Sequence, residues 1–202
     1  MNRFRPQNGF SLLETLIVVA LVGVIATIAI PQLNNSIAYF RLSGDARSVS
    51  NAVALAKMRA ASNFSKTRLY ISTASNWHRV ERANTSTPPQ WTVEGGVTYL
   101  SAYTSFSHGV VATPPPNSQA VIGNASPCRN NAGADIAGTA CVVFNSRGIP
   151  IAPDVANNYT PTSDHAVYLT DGSAVYSITV AATGMIRMWQ TLPTSTPTWN
   201  KQ

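Results

Sequence analysis

Glu14 is the one charged residue between Arg5 and Arg41, and it stands near the start of an apolar run, Gly9-Phe-Ser-Leu-Leu-Glu14-Thr-Leu-Ile-Val-Val-Ala-Leu-Val-Gly23-Val-Ile-Ala-Thr-Ile-Ala-Ile30-Pro31. A carboxylate inside a membrane segment costs about 2.5–3.5 kcal/mol at the bilayer centre, so such a group has a partner and a task. The other residues able to do chemistry are dispersed. His78, His108 and His165 show no His-x-x-x-His spacing and read as surface or strand-edge residues. Asp164-His165 has no nucleophile setting such as Gly-x-Ser-x-Gly beside it. Gly95-Gly96 reads as a turn rather than a phosphate loop. Cys128 and Cys141 have no metal-type neighbour at short spacing, so neither a metal nor a cofactor is expected. An enzyme has little here to work with.

The elements that must position Glu14 are legible in the spacing. A chain of 202 residues suffices for one membrane helix and one soluble domain with its own core. Beyond Pro31, apolar residues recur at Leu42, Ala46, Val49, Val53, Ala56 and Ala60, in alternating steps of four and three that mark one face of an amphipathic helix. Arg41 and Asp45 form an i,i+4 pair elsewhere on its circumference. The spacing predicts a helix from about Phe10 to about Ser62, roughly 80 Å long, with Pro31 leaving a kink or short break. Short strands follow. Thr67–Ser72 and Trp77–Arg82 form a first hairpin, and Trp91–Val93 and Val97–Tyr99 pair around Gly95-Gly96. Cys141–Phe144 is a buried strand, and Ala166–Thr170, Ala174–Val180 and Gly184–Trp189 make a meander turning at Asp171-Gly172 and Thr183-Gly184. Loops are expected over Asn84–Gln90, Thr113–Gln119, Gly123–Gly138 and Pro150–Asp164, with a Pro/Thr-rich tail from Leu192 to Lys201. Helix first and antiparallel strands after make an α+β protein, a long N-terminal helix packed on a small β domain.

Charged residues are 11% of the chain, well below the usual quarter, and the net charge of +6 is uneven. Arg41, Arg47, Lys57, Arg59, Lys66, Arg68, Arg79 and Arg82 crowd residues 41–82 against only Asp45 and Glu81. After residue 82 the chain is close to neutral. A basic leader, Met1-Asn-Arg3-Phe-Arg5-Pro-Gln-Asn-Gly9, precedes the apolar run, and its arginines favour a cytoplasmic N-terminus.

Leader, Gly9-Phe10 junction, Glu14 and Pro31 together resemble the N-terminus of type IV pilins and of the related pseudopilins of type II secretion. The resemblance implies that a prepilin peptidase cuts between Gly9 and Phe10 and methylates the new amine of Phe10. Removing Arg3 and Arg5 would lower the net charge to +4. Glu14, four residues on, would share a helix face with that amine and neutralise the amine of a neighbouring subunit as a filament grows. Gly23 and Pro31 sit where such pilins carry helix-weakening residues. The implied organisation is leader 1–9, transmembrane or filament-core helix 10–30, amphipathic helix 31–62 and β domain 63–202. Further along, Phe144-Asn-Ser-Arg147-Gly148 and the meander ending Gly184-Met-Ile-Arg187 look like the GspH/FimT group of minor pilins and pseudopilins, in which two small sheets pack on the C-terminal half of the helix.

Several consequences are carried by that resemblance. The protein would cross the bacterial inner membrane once, with its C-terminal domain periplasmic, before entering a pilus or pseudopilus. Its partners would be the prepilin peptidase, sister pilin subunits and an inner-membrane assembly platform. On that oxidising side Cys128 and Cys141 would pair, closing an Asn/Gly/Ala-rich loop for about 3 kcal/mol; two free thiols are the alternative. Some members of the FimT branch take up DNA through basic residues near the C-terminal meander. Here Arg187 stands in one such place and Met185 in the other, so the alternative function is a DNA-binding minor pilin for natural transformation. The cluster at 41–82 could contact phosphates or serve as a solvated face or filament contact. Trp77, Trp91, Trp189 and Trp199 suit core, subunit contacts or stacking platforms alike. Without the resemblance, the same N-terminus reads as a single-span anchor, or as an ordinary signal peptide cut after Thr27-Ile28-Ala29, giving a mature chain that begins near Ile30 and lacks Glu14.

Overall fold

A computed structural model describes residues 11–84, 86, 90–152, 160–163 and 165–202. Gly9 and Phe10, the expected processing site, and Asp164 lie outside the described residues. The chain divides into two units, one ending at Ala38 and one running from Tyr39 to Gln202. A single helix, α1 (Leu12–Ser62), contributes to both.

In the first unit α1 is opened by Ser11, whose hydroxyl accepts the Leu13 N–H at 3.2 Å while its carbonyl accepts the Thr15 N–H. Leu12, Leu13, Leu16, Ile17, Val18 and Val19 are all exposed, and no stripe of this half is buried. The helix continues through Gly23 and Pro31. No break interrupts it at Pro31. The ring removes only the one bond its missing N–H would have made to the Thr27 carbonyl, a loss that a helix of 51 residues absorbs.

In the second unit the helix buries Leu42, Ala46, Val49, Val53, Ala56 and Ala60, the stripe its spacing predicts. Small residues at three of these six positions let the sheets approach the helix backbone closely. Two antiparallel sheets cover that stripe. The first is ordered β3-β2-β1-β6-β7, from β1 (Thr67–Ser72), β2 (Trp77–Ala83), β3 (Trp91–Tyr99), β6 (Thr139–Phe144) and β7 (Pro150–Ile151). The second is ordered β11-β10-β9-β8, from β8 (His165–Thr170), β9 (Val175–Val180), β10 (Ile186–Thr191) and β11 (Asn200–Lys201). Strand alternation supplies both faces of each sheet. Ala140, Val142 and Phe144 of β6 join the helix core, while Cys141 and Val143 turn to a separate cluster with Cys128 and Ile151. Val167 and Leu169 of β8 likewise face the helix, and Ala166 and Tyr168 face a cluster with Val111 and Val175. Burial on both faces explains why these strands read as nearly continuous apolar runs.

Three loops hold short strands the sequence reading did not separate from them. β4 (Cys128–Arg129) and β5 (Asp135–Ile136) pair inside the stretch Gly123–Gly138, β7 lies at the start of Pro150–Asp164, and β11 lies in the tail. Cys128 and Cys141 form a disulfide with their Cα atoms 4.9 Å apart. The expected hairpin around Gly95-Gly96 is corrected: β3 is one nine-residue strand against β2. Its register shifts between His78↔Thr98 and Val80↔Glu94, so the two glycines form an irregularity rather than a turn. Gly95 adopts φ +99°, which a bulge needs as much as a hairpin does. The third strand of the meander, β10, runs Ile186–Thr191, two residues later than expected, because Ala181–Met185 form the turn: the Ala181 N–H donates to the Met185 carbonyl at 2.9 Å.

Candidate functional site

The first candidate is the N-terminal half of α1. Its 18-residue apolar window has a mean hydropathy of 2.6, and none of it is buried within the protein. Among the described residues it is the one helix long and apolar enough to cross a membrane. The Thr15 hydroxyl donates to the Leu12 carbonyl at 2.8 Å and the Thr27 hydroxyl to the Val24 carbonyl at 2.7 Å. Both side chains can therefore enter lipid with their donors satisfied. Glu14 differs. It is exposed and makes no ion pair among the described residues.

The two segments that suggested a subfamily meet at one point in the second unit. Lys57, on the helix, donates its Nζ to the Gly184 carbonyl at 2.8 Å, in the β9–β10 turn. Gly148, in the β6–β7 turn, stands so close that a Cβ on Gly184 would lie 2.7 Å from the Gly148 carbonyl oxygen. Both glycines have positive φ, 72° and 79°. One lysine and two glycines thus tie a turn of each sheet to the helix.

The second candidate is built by cross-strand register on the outer face of the first sheet. Arg68 of β1 lies directly opposite Glu81 of β2, and Arg79 is two residues before Glu81 on the same face. Arg68 Nε donates to Glu81 Oε2 at 2.7 Å, and Arg79 Nε donates to Oε1 at 2.7 Å. Arg68 also gives Nη1 to the Arg129 carbonyl at 2.6 Å. Its guanidinium lies 4.0 Å from the Trp91 ring centroid, and that of Arg79 lies 5.0 Å from Tyr70 and 5.1 Å from Trp77. Arg68 is only 4% exposed, and burial holds its pKa below the ordinary arginine value despite Glu81. One carboxylate serves two guanidinium groups. Beside them opens a cleft of about 490 Å³ whose walls include Trp91, Asn130 and Asn131. The sequence reading missed this group, although its own hairpin, Thr67–Ser72 with Trp77–Arg82, implied the register that brings Arg68 and Glu81 together.

Four of the eight cations at 41–82, Lys57, Arg68, Arg79 and Arg82, are engaged in such contacts, while Arg41, Arg47 and Arg59 on the helix are exposed. Arg82 pairs with Glu94 at 2.9 Å, and Arg129 pairs with Asp135 at 3.1 Å. Arg187 does not project freely either. It lies half-buried on the outer face of β10 with its Nε enclosed, beside Asn117, Ser118 and Trp189. The four tryptophans are half-buried; Trp189 donates to Thr179 Oγ1 and Trp199 to the Thr113 carbonyl, both at 3.0 Å.

Of the expected surface or strand-edge positions, His78 is corrected to a buried place on an interior strand, while His165 lies on an edge strand but is buried there. His78 is buried on β2, edge-on to Phe106, and burial lowers its pKa against a smaller upward pull from Asp45. His165 is buried at the start of β8, its Nε2 2.9 Å from the Ile151 carbonyl. His108 is half-buried with Nδ1 3.0 Å from the Val111 carbonyl. At strand positions facing a core the flat imidazole ring packs with its apolar neighbours; His165 Nε2 has a carbonyl beside it, whereas His78 Nδ1 is enclosed with no hydrogen-bond partner among the described residues. Among the described residues no three His, Cys, Asp or Glu side chains converge on a point that could hold a metal.

Residues 4–30 match the family model described as the prokaryotic N-terminal methylation motif. No curated protein matches the chain. Among solved structures, the chain is similar to the minor pseudopilin EpsH from the Type 2 Secretion System of Vibrio cholerae, with 11% identity and a TM-score of 0.44 over 73% of this chain and 95% of that one.

Proposed function

We propose that this protein is a minor pilin or pseudopilin, a structural subunit that helps initiate or cap a type IV pilus or a type II secretion pseudopilus. In this reading it is inserted as a prepilin, cut between Gly9 and Phe10, and N-methylated at Phe10. It crosses the inner membrane once with its β domain outside the cytoplasm, and the assembly platform then draws it into a filament. Glu14 meets the methylated amine of a neighbouring subunit. Pairing the two charges in lipid offsets the cost of each alone, so subunits add in register. The β domain on the second half of α1 selects which sister subunits are accepted.

The observation that carries this reading is the methylation motif over residues 4–30, with Glu14 as the lone charge in the apolar, unburied N-terminal half of α1. The alternative, a DNA-binding minor pilin, is less favoured because Lys57, Arg68, Arg79 and Arg82 are engaged within the domain and Arg187 is partly enclosed. Mass spectrometry of the first residue of the mature chain tests the proposal. The expected N-terminus is Phe10 carrying one methyl group; an N-terminus near Ile30, as an ordinary secreted domain would have, overturns it.

A further inference from the structure

We infer that the cleft beside Arg68 and Arg79 receives a carboxylate side chain from an extended segment of another protein, which pairs along the free edge of β3. Three observations converge. The first is charge. Arg68 and Arg79 share Glu81, and Arg129 is balanced by Asp135, which leaves the group one positive charge in excess. Because Arg68 is almost wholly removed from water, that excess is costly without an added anion, and a single carboxylate cancels it. A polyanion fits less well, since its further charges would face Glu81.

The second is what the cleft presents. Guanidinium groups already lie over Trp91, Tyr70 and Trp77, so the site offers N–H edges rather than bare ring faces. Asn130 and Asn131 line the same space of about 490 Å³, room for one side chain and its flanking backbone.

The third is the edge itself. In the second sheet the β8 edge is sealed: Ala125 donates to the Ala166 carbonyl at 2.7 Å, Asn124 Oδ1 accepts the Tyr168 N–H at 2.8 Å, and Ser105 pairs with Thr170. The nine-residue β3 has no such cover among the described residues, and Val93, Val97 and Tyr99 are exposed along it. Among the described residues only the Trp91 amide on the outward side is met, by Asn131 Oδ1 at 3.0 Å, beside the mouth of the cleft. Alternation places the Val93 amide on that same outward side. A long, uncovered edge invites strand addition, with pockets beside it reading the side chains of the added strand. That favours a peptide segment over a small free acid.

The inference stands apart from the filament reading, since it uses neither Glu14 nor processing. It is tested by titrating the full-length protein in detergent micelles with the acetylated, amidated peptide Val-Thr-Glu-Thr-Val, following tryptophan fluorescence and backbone amide shifts. Saturable binding is expected, with the Gln counterpart weaker by about ten-fold or more, the difference between a charged and a neutral acceptor. Arg79→Gln and Val93→Pro should each weaken binding by about the same factor. Arg79 is partly exposed and the Val93 amide points outward, so both variants are expected to fold, with far-ultraviolet circular dichroism as the check. Absence of saturable binding, equal binding of the Gln peptide, or unaltered binding by either variant overturns the inference. So does displacement of the peptide by a short oligothymidylate, which would assign the cleft to nucleic acid.

Discussion

Within a membrane Glu14 would carry a desolvation cost that nothing among the described residues offsets, so the proposed reading calls for a partner from outside the chain. Glu14→Ala should leave the proposed processing at Gly9-Phe10 largely intact, because the substitution lies four residues beyond the cut in sequence, while lowering incorporation into filaments. Counting filaments in a strain carrying only the variant checks this, and unchanged numbers with normal processing contradict it. His78 supports a second test at this scale. Its pKa is lowered from 6.5 by burial, with Asp45 the charged group that pulls it back, and Asp45 is itself held by the Ser101 N–H and hydroxyl. The unfolded chain therefore takes up the proton first as pH falls. The stability linked to this ring is complete above the unfolded value and is lost between there and the lower folded value. The melting temperature should drop as pH falls below the unfolded value of 6.5, and His78→Gln should flatten the drop. An identical slope in the variant would show that other groups carry it.

At the scale of elements, the turn glycines separate two kinds of constraint. Gly172 and Gly184 both have positive φ, but a Cβ on Gly172 meets open space while one on Gly184 meets the Gly148 carbonyl. Gly184→Ala should thus cost roughly 1–3 kcal/mol and exceed Gly172→Ala, which bears the backbone strain alone. Thermal unfolding of the two variants side by side decides it; equal shifts would mean that the Lys57 junction is not tightly packed. The helix stripe and the strand alternation were legible because each is a local period, and Leu42 to Ala60 appear in the core as their spacing predicts. Gly95-Gly96 was not legible. A glycine pair permits either a hairpin turn or an irregularity in a strand, and only β2, lying alongside, decides between them.

For the whole molecule, the distribution of charge bears on nucleic acid. A net charge of +6 suggests a phosphate-binding surface, yet the arginines of β1 and β2 are paired within the fold. A gel-shift of the full-length protein with duplex DNA across a salt series should show no salt-sensitive retardation; retardation that fades steeply with salt would restore the DNA-uptake reading. The amino-acid order alone determined the apolar N-terminal segment with its lone acid, the methylation motif, the amphipathic second half of the helix and the α+β order of elements, since each rests on composition or on a repeat of two to four residues. Tertiary structure alone decided which charges are spent, which histidines are buried, that two distant glycines meet at Lys57, and that among the described residues β3 is left uncovered while β8 is sealed. Those outcomes depend on which strand lies across from which, and strands far apart in the chain become neighbours only when the sheets close on the helix.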